Sequence, residues 1–179
     1  MDKDLFGNPL KKRKSRLERQ LEKSDRQSFN SRLERLKWLD SIFPKGYSFM
    51  MPSEAFHVFE EARLAFINGE FVATLLLANA FLEQWLGNVL ASEGHAKEAQ
   101  QGLAVILRCM EEMGLLHEFI SNTADRLRKI RNPFVHLKSF DHEHRLTQRV
   151  LREQIDPCSL LEEDARNAIS LMLHVATTI

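Results

Sequence analysis

Three side chains in the last third of the chain could act together on one phosphate: Arg131, Asn132 and His136, in the run RNPFVH. A guanidinium donates in a fixed planar fork that can meet two phosphoryl oxygens at once. An imidazole, with an unperturbed pKa of about 6.5, can take or give a proton near neutral pH. The amide next to the arginine can hold a phosphate oxygen or orient the imidazole. With 15 Arg, 8 Asn and 7 His in 179 residues, Arg-Asn-x-x-x-His is expected about 0.03 times by chance.

Other chemistries find less. There is no Gly-rich phosphate loop, no Ser/His/Asp signature and no paired CxxC. Asp141-His142-Glu143-His144 puts four potential metal ligands in succession. Metal sites usually draw ligands from separated segments or from i and i+4 on a helix, so a solvated turn is expected here and no metal. His57, His95, His117 and His174 are isolated and read as surface or interface histidines. Cys109 and Cys158 fall in no metal or redox spacing and suit a reducing, cytoplasmic setting. No cofactor is implied.

The elements that must hold the RNPFVH run read as helices. Period-two alternation is absent over any useful length, and no repeat of 20–50 residues is found. A helix is expected over 16–40, frayed at its start, with Phe29, Leu33, Leu36 and Phe43 as its packing stripe in the later half. Pro44-Lys45-Gly46 should break it, and Ser53 is a candidate N-cap for a helix ending at Asn68-Gly69. The next helix, over 70–92, is apolar almost all round and should sit centrally. Its stretch from Phe71 to Leu90 carries Glu83, Asn79, Gln84 and Asn88, which argues for a buried core helix rather than a membrane span. Further helices are expected over 96–113 and 116–130, then a loop with a short helix over 139–154. Asp156-Pro157 punctuates before a last helix over 159–175.

Lys plus Arg equals Asp plus Glu at 25 each, so overall charge argues for no polyanionic partner. The balance is uneven along the chain. Residues 1–40 hold 12 basic and 7 acidic side chains, and the remainder 13 and 18. A basic arm, residues 1–50 with the run Lys11-Lys12-Arg13-Lys14, thus precedes an acidic body, residues 51–179. The run could touch phosphate, or be a solvated lead-in. At 44% hydrophobic with few Gly and Pro, the chain is excluded from wholesale disorder, collagen-like repeats and disulfide-built miniproteins.

Taken in order, these features resemble the HEPN superfamily. The residues that carry the likeness are Arg131, Asn132 and His136, preceded by the amphipathic Ala124–Ile130 segment. Before them come Asn68-Gly69-Glu70-Phe71 and the apolar helix ending Phe81-Leu82-Glu83-Gln84-Trp85-Leu86, and after them Asp164-Ala165-Arg166-Asn167-Ala168-Ile169. The likeness covers about residues 52–178. It implies an all-α, HEPN-like bundle of four to five core helices, here with an N-terminal basic helical extension.

The resemblance implies a metal-independent endoribonuclease, of a toxin or phage-defence type, with its active site at a homodimer cleft and a cognate antitoxin protein as a further partner. The products would be a 2′,3′-cyclic phosphate and a 5′-hydroxyl. DNA, lacking the 2′-hydroxyl, would be left intact. An alternative is a non-catalytic HEPN-type module that binds RNA, nucleotide or a partner protein; a blander one is a helical interaction domain. Arg131 and His136 would be catalytic and Asn132 supporting. Arg128, Lys129 and Lys138 either widen a phosphate-binding strip or form an ordinary solvated face. Glu83 is either an ion-pair partner that positions Arg131 or a partly exposed edge carboxylate. On a straight helix residues five apart diverge by about 140°. Pro133 is therefore expected to break the helix at Asn132-Pro133 and to place His136 in the first turn of a new one.

Overall fold

The most apolar helix organises the rest. The computed structural model describes residues 14–43 and 51–179, and in it the helix Phe71–Ser92 buries Leu75, Ala78, Phe81, Leu82, Leu86 and Leu90 completely. In chain order the helices are α1 (Arg16–Ile42), α2 (Ser53–Asn68), α3 (Phe71–Ser92), α4 (Ala96–Ala99), α5 (Leu103–Glu112), α6 (Glu118–Val135), α7 (Leu146–Glu153) and α8 (Pro157–Thr178). Among the described residues there is no strand, and no helix is long and apolar enough to cross a membrane. α3 packs against α2, α4, α5, α6 and α8. One core cluster runs from Leu39 of α1 to Val175 of α8. Each large side chain buried there contributes about 1.5–3 kcal/mol of hydrophobic stabilisation.

Several boundaries differ from the sequence reading, each for a local reason. α1 starts at Arg16 on a cap the sequence reading did not name: Ser15 and Glu18 form a reciprocal capping box, with Glu18 N donating to Ser15 Oγ at 3.1 Å. Its later half does pack on the body, through Leu39, Trp38, Ile42 and the expected Phe43, while Phe29 and Leu36 stay exposed. The core-facing stripe also admits a buried cation. Arg35 donates from Nε to the Ile67 carbonyl at 2.9 Å and lies over the Phe71 ring, closing the C-terminus of α2. Arg166 of α8 stacks on Trp38, with its guanidinium carbon 4.7 Å from the ring centroid, and ties α1 to the last helix.

Ser53 is not a cap. Pro52 holds that position, and no side chain bonds to the start of α2. The expected helix over 96–113 divides into α4 and α5 because Gly102 takes φ +89°, a conformation other residues adopt rarely. α8 begins earlier than expected, at Pro157, because Asp156 accepts from both Cys158 N and Ser159 N at 3.0 Å. The Lys11–Arg13 part of the basic run and the Pro44-Lys45-Gly46 break lie outside the described residues.

The α2–α3 turn depends on one glycine. Gly69 sits at φ +83°, and a Cβ there would lie 3.1 Å from the Arg35 guanidinium. Gly69→Ala should lower unfolding free energy by about 1–2 kcal/mol, the cost of a left-handed L-residue. Urea titration followed by helical circular dichroism measures it, and an unchanged midpoint would exclude the assigned strain.

Candidate functional site

The C-terminal half of α6 carries the RNPFVH run. Ile120, Ala124, Leu127 and Ile130 form its buried stripe, and Phe134 continues it against the core. That spacing fixes the helix rotation, which leaves Arg131 and Asn132 half-buried and His136 exposed.

Pro133 does not break the helix. α6 continues through it to Val135, and Asn132, in helical conformation, accepts at its carbonyl from His136 N at 2.8 Å. Proline removes only its own N–H, which would have met the Lys129 carbonyl. This close to a helix end the loss is tolerated. His136 is accordingly the C-cap, with extended backbone (φ −124°, ψ 132°), and not the start of a new helix. No helix follows until Leu146. Within one copy Arg131 thus lies in the last turns of α6 and His136 just beyond its end.

Arg131 and Asn132 are brought together: Arg131 donates to Asn132 Oδ1 at 3.2 Å. Among the described residues no carboxylate pairs with Arg131. With Leu76, Ala80, Glu83, Gln84 and Val135 it lines a shallow depression of about 290 Å³ between α3 and α6, and His136 is not among those walls. Glu83 shares the depression but makes no ion pair with Arg131. It accepts at Oε2 from Leu103 N at 3.3 Å, the first N–H of α5. Its structural role is to satisfy an unpaired helix-terminal donor, a use that neither sequence reading named.

Arg128 and Lys129 share another carboxylate. Arg128 donates from two nitrogens to Asp125 Oδ1 at 2.9 and 2.7 Å, and Lys129 Nζ lies 2.7 Å from Oδ2. Burial opposes ionisation of Asp125, but the bonds from Lys129 and Arg128 prevail and hold its pKa below the usual value. The trio keeps one net positive charge beside Arg131. Lys138 is half-buried in the loop after His136, and its carbonyl accepts from Arg145 at 3.2 Å.

That loop is clamped by α7, the short helix expected over 139–154, through bonds that the sequence reading did not name. Besides Arg145, Gln148 donates to the Phe140 carbonyl at 3.0 Å and Arg152 to the Glu143 carbonyl at 3.3 Å. α7 is in turn fastened to α8 by Arg149 and Asp164, both buried, whose two parallel bonds measure 2.6 and 2.8 Å. A signal was present: Asp164 stands four residues after Leu160 and four before Ala168, on the buried stripe of α8. A carboxylate there demands a buried cation.

In the loop, His144 N donates to His142 Nδ1 at 3.3 Å, and burial holds the His144 imidazole below its ordinary pKa while Glu143 opposes the shift. Among the described residues no group of three or more His, Cys, Asp or Glu side chains is placed to hold a metal ion. The surface around His136 is apolar: Val135, Leu137 and Phe140 are exposed, Leu137 by 99%. Compared with known protein families, curated proteins and solved structures, the chain gives no match.

Proposed function

We propose that this chain is a metal-independent endoribonuclease of the HEPN type, cutting RNA at a cleft formed by two copies. The observation that carries the reading is the state of Arg131. It is a half-buried guanidinium, held by a neutral amide and paired with no carboxylate among the described residues, five positions from an exposed imidazole. A cation so placed is available to a phosphate.

The chemistry follows from the groups. One imidazole takes the proton of a ribose 2′-hydroxyl. The 2′-oxygen attacks the adjacent phosphorus, and the bond to the 5′-oxygen breaks. That oxygen leaves with a proton from an acid, giving a 2′,3′-cyclic phosphate and a 5′-hydroxyl. Arg131 stabilises the charge that grows on the phosphoryl oxygens. Because His136 lies outside the depression that Arg131 lines, the two groups are brought onto one phosphate by setting two motifs face to face. The exposed Val135 and Leu137 supply an apolar surface for that contact. Such a nuclease needs restraint, so a cognate antitoxin or similar protein completes the proposal, in a toxin or phage-defence role.

Single-stranded RNA incubated with purified protein in excess chelator should yield cyclic phosphate ends. A strand with one 2′-deoxynucleotide at the cutting position should survive there. Cleavage lost on chelation, or cleavage of that deoxy position, would overturn the mechanism. A second reading, a non-catalytic module binding RNA, nucleotide or protein, is favoured by one observation: His136 lies outside the Arg131 depression. Tight RNA binding without cleavage would establish it.

A further inference from the structure

Phe140 is exposed over 72% of its surface, yet its backbone is held in place. It is the second residue of a tight turn, Ser139 to His142, closed by His142 N donating to the Ser139 carbonyl at 3.2 Å. Its own carbonyl accepts from Gln148 at 3.0 Å, and the Lys138 carbonyl accepts from Arg145 at 3.2 Å. The Arg145 guanidinium carbon also lies 5.6 Å from the centre of the Phe140 ring, within cation–π reach. A phenyl ring is thus presented to solvent by a fastened turn, with a cation against it and most of its surface open.

An aromatic ring offers a flat π-face as well as apolar area. The exposed Val135 and Leu137 offer apolar area alone, which serves the contact between copies. Charge narrows the partner of the ring. Lys138 and Arg145 flank the turn in sequence, but Asp141 and Glu143 stand in the same loop and repel an acidic group laid on the ring. A neutral planar group, such as a nucleobase, meets no such repulsion, and the phosphates to either side of it can meet the two cations. The turn is also close to the reacting imidazole. Phe140 is four residues after His136, so their Cα atoms are at most about 14 Å apart.

We infer that Phe140, backed by Arg145, is a stacking platform for an unpaired base beside the linkage cut at His136, so that the substrate is single-stranded RNA. The inference rests on the ribonuclease reading and names the substrate class of that same site. Every base has a π-face, so the platform accepts all four. Bases in a duplex are already paired and stacked on their neighbours, and leave no free face for the ring. Because the turn is ordered before RNA arrives, little freedom is lost on stacking.

The test compares Phe140→Ala, Phe140→Leu and Phe140→Trp. Binding is read by fluorescence anisotropy of a labelled single-stranded RNA, with each change placed in the full-length His136→Ala protein to prevent cleavage. KM and kcat are read with each change alone. Alanine and leucine should both weaken binding and raise KM about tenfold with kcat little altered, and tryptophan should match the parent. The mass in solution should stay the same, and the same RNA annealed to its complement should be cut at least about tenfold more slowly. Leucine performing as well as phenylalanine, or alanine lowering the mass in solution, would make the ring an apolar contact between proteins and overturn the platform. Unchanged KM in all three variants, or duplex cut as fast as single strand, would overturn it and leave the nuclease intact. A parent that cuts no RNA would overturn the nuclease reading alone: the binding measurements then uphold the platform if Phe140→Ala weakens them, and overturn it too if they do not change.

Discussion

His136→Ala cuts the rate of RNA cleavage by about two to four orders of magnitude, the usual worth of a positioned general acid or base. Its melting temperature stays within a degree or two of the parent, because the side chain is exposed and the bond to the Asn132 carbonyl comes from the backbone. Arg131→Ala loses about 10²–10³, the scale for removing one group that stabilises transition-state charge. Mixing the two inactive variants is the sharper measurement. If Arg131 of one copy serves His136 of the other, random pairing makes half of the dimers mixed, and one of the two sites in each is whole. Roughly a quarter of the parent activity then returns. No recovery on mixing would mean that each copy works alone, which the place of His136 outside the Arg131 depression does not favour. Full activity in His136→Ala would remove the nuclease assignment.

The helical class, the central place of α3 and the stop at Gly69 were legible because each has a one-dimensional signature: apolar residues all round, or a glycine after an apolar run. What escaped the sequence depends on partners distant along the chain. Glu83 could be recognised as a charge in an apolar helix, but not that its partner would be Leu103 N, 20 residues on. Pro133 was a local rule overridden by position, since a lost donor near a helix end matters less than Phe134 packed against the core. In the candidate site Asn132 accepts from Arg131, a use that the reading of its amide as a holder of phosphate or of the imidazole did not name. The pairing of Arg128 and Lys129 with Asp125 was readable in principle from i, i+3 and i, i+4 spacing. The clamp of α7 was not, because its bonds run to backbone carbonyls that no residue type reveals.

The Arg149–Asp164 pair that fastens α7 to α8 gives the largest expected loss of stability. Asp164→Ala leaves the Arg149 guanidinium buried without its bidentate partner. Breaking such a pair costs about 3–5 kcal/mol. For a chain of this length that lowers Tm by roughly 6–20 °C. Desolvation alone would depress the Arg149 pKa, yet the bonds from Asp164 raise it above its ordinary value, which shows how far this cation depends on that carboxylate. Glu153, 3.7 Å from Arg149 Nε, is the remaining neighbour and recovers only part of the loss. The paired substitution Arg149→Met with Asp164→Leu should behave differently. Replacing both charges with apolar groups of similar volume is often neutral or stabilising, so Tm should return near or above the parent value. The double variant also separates two roles. If the ion pair only fastens α7, the bonds from Arg145, Gln148 and Arg152 to the 138, 140 and 143 carbonyls persist, and RNA cleavage recovers with stability. Recovery of Tm without recovery of cleavage would show that the charges themselves, and not the docking of α7, set the segment that follows His136. Thermal melts and initial rates on the same three proteins distinguish these outcomes, and a single variant as stable as the parent would show that the pair is not buried in solution.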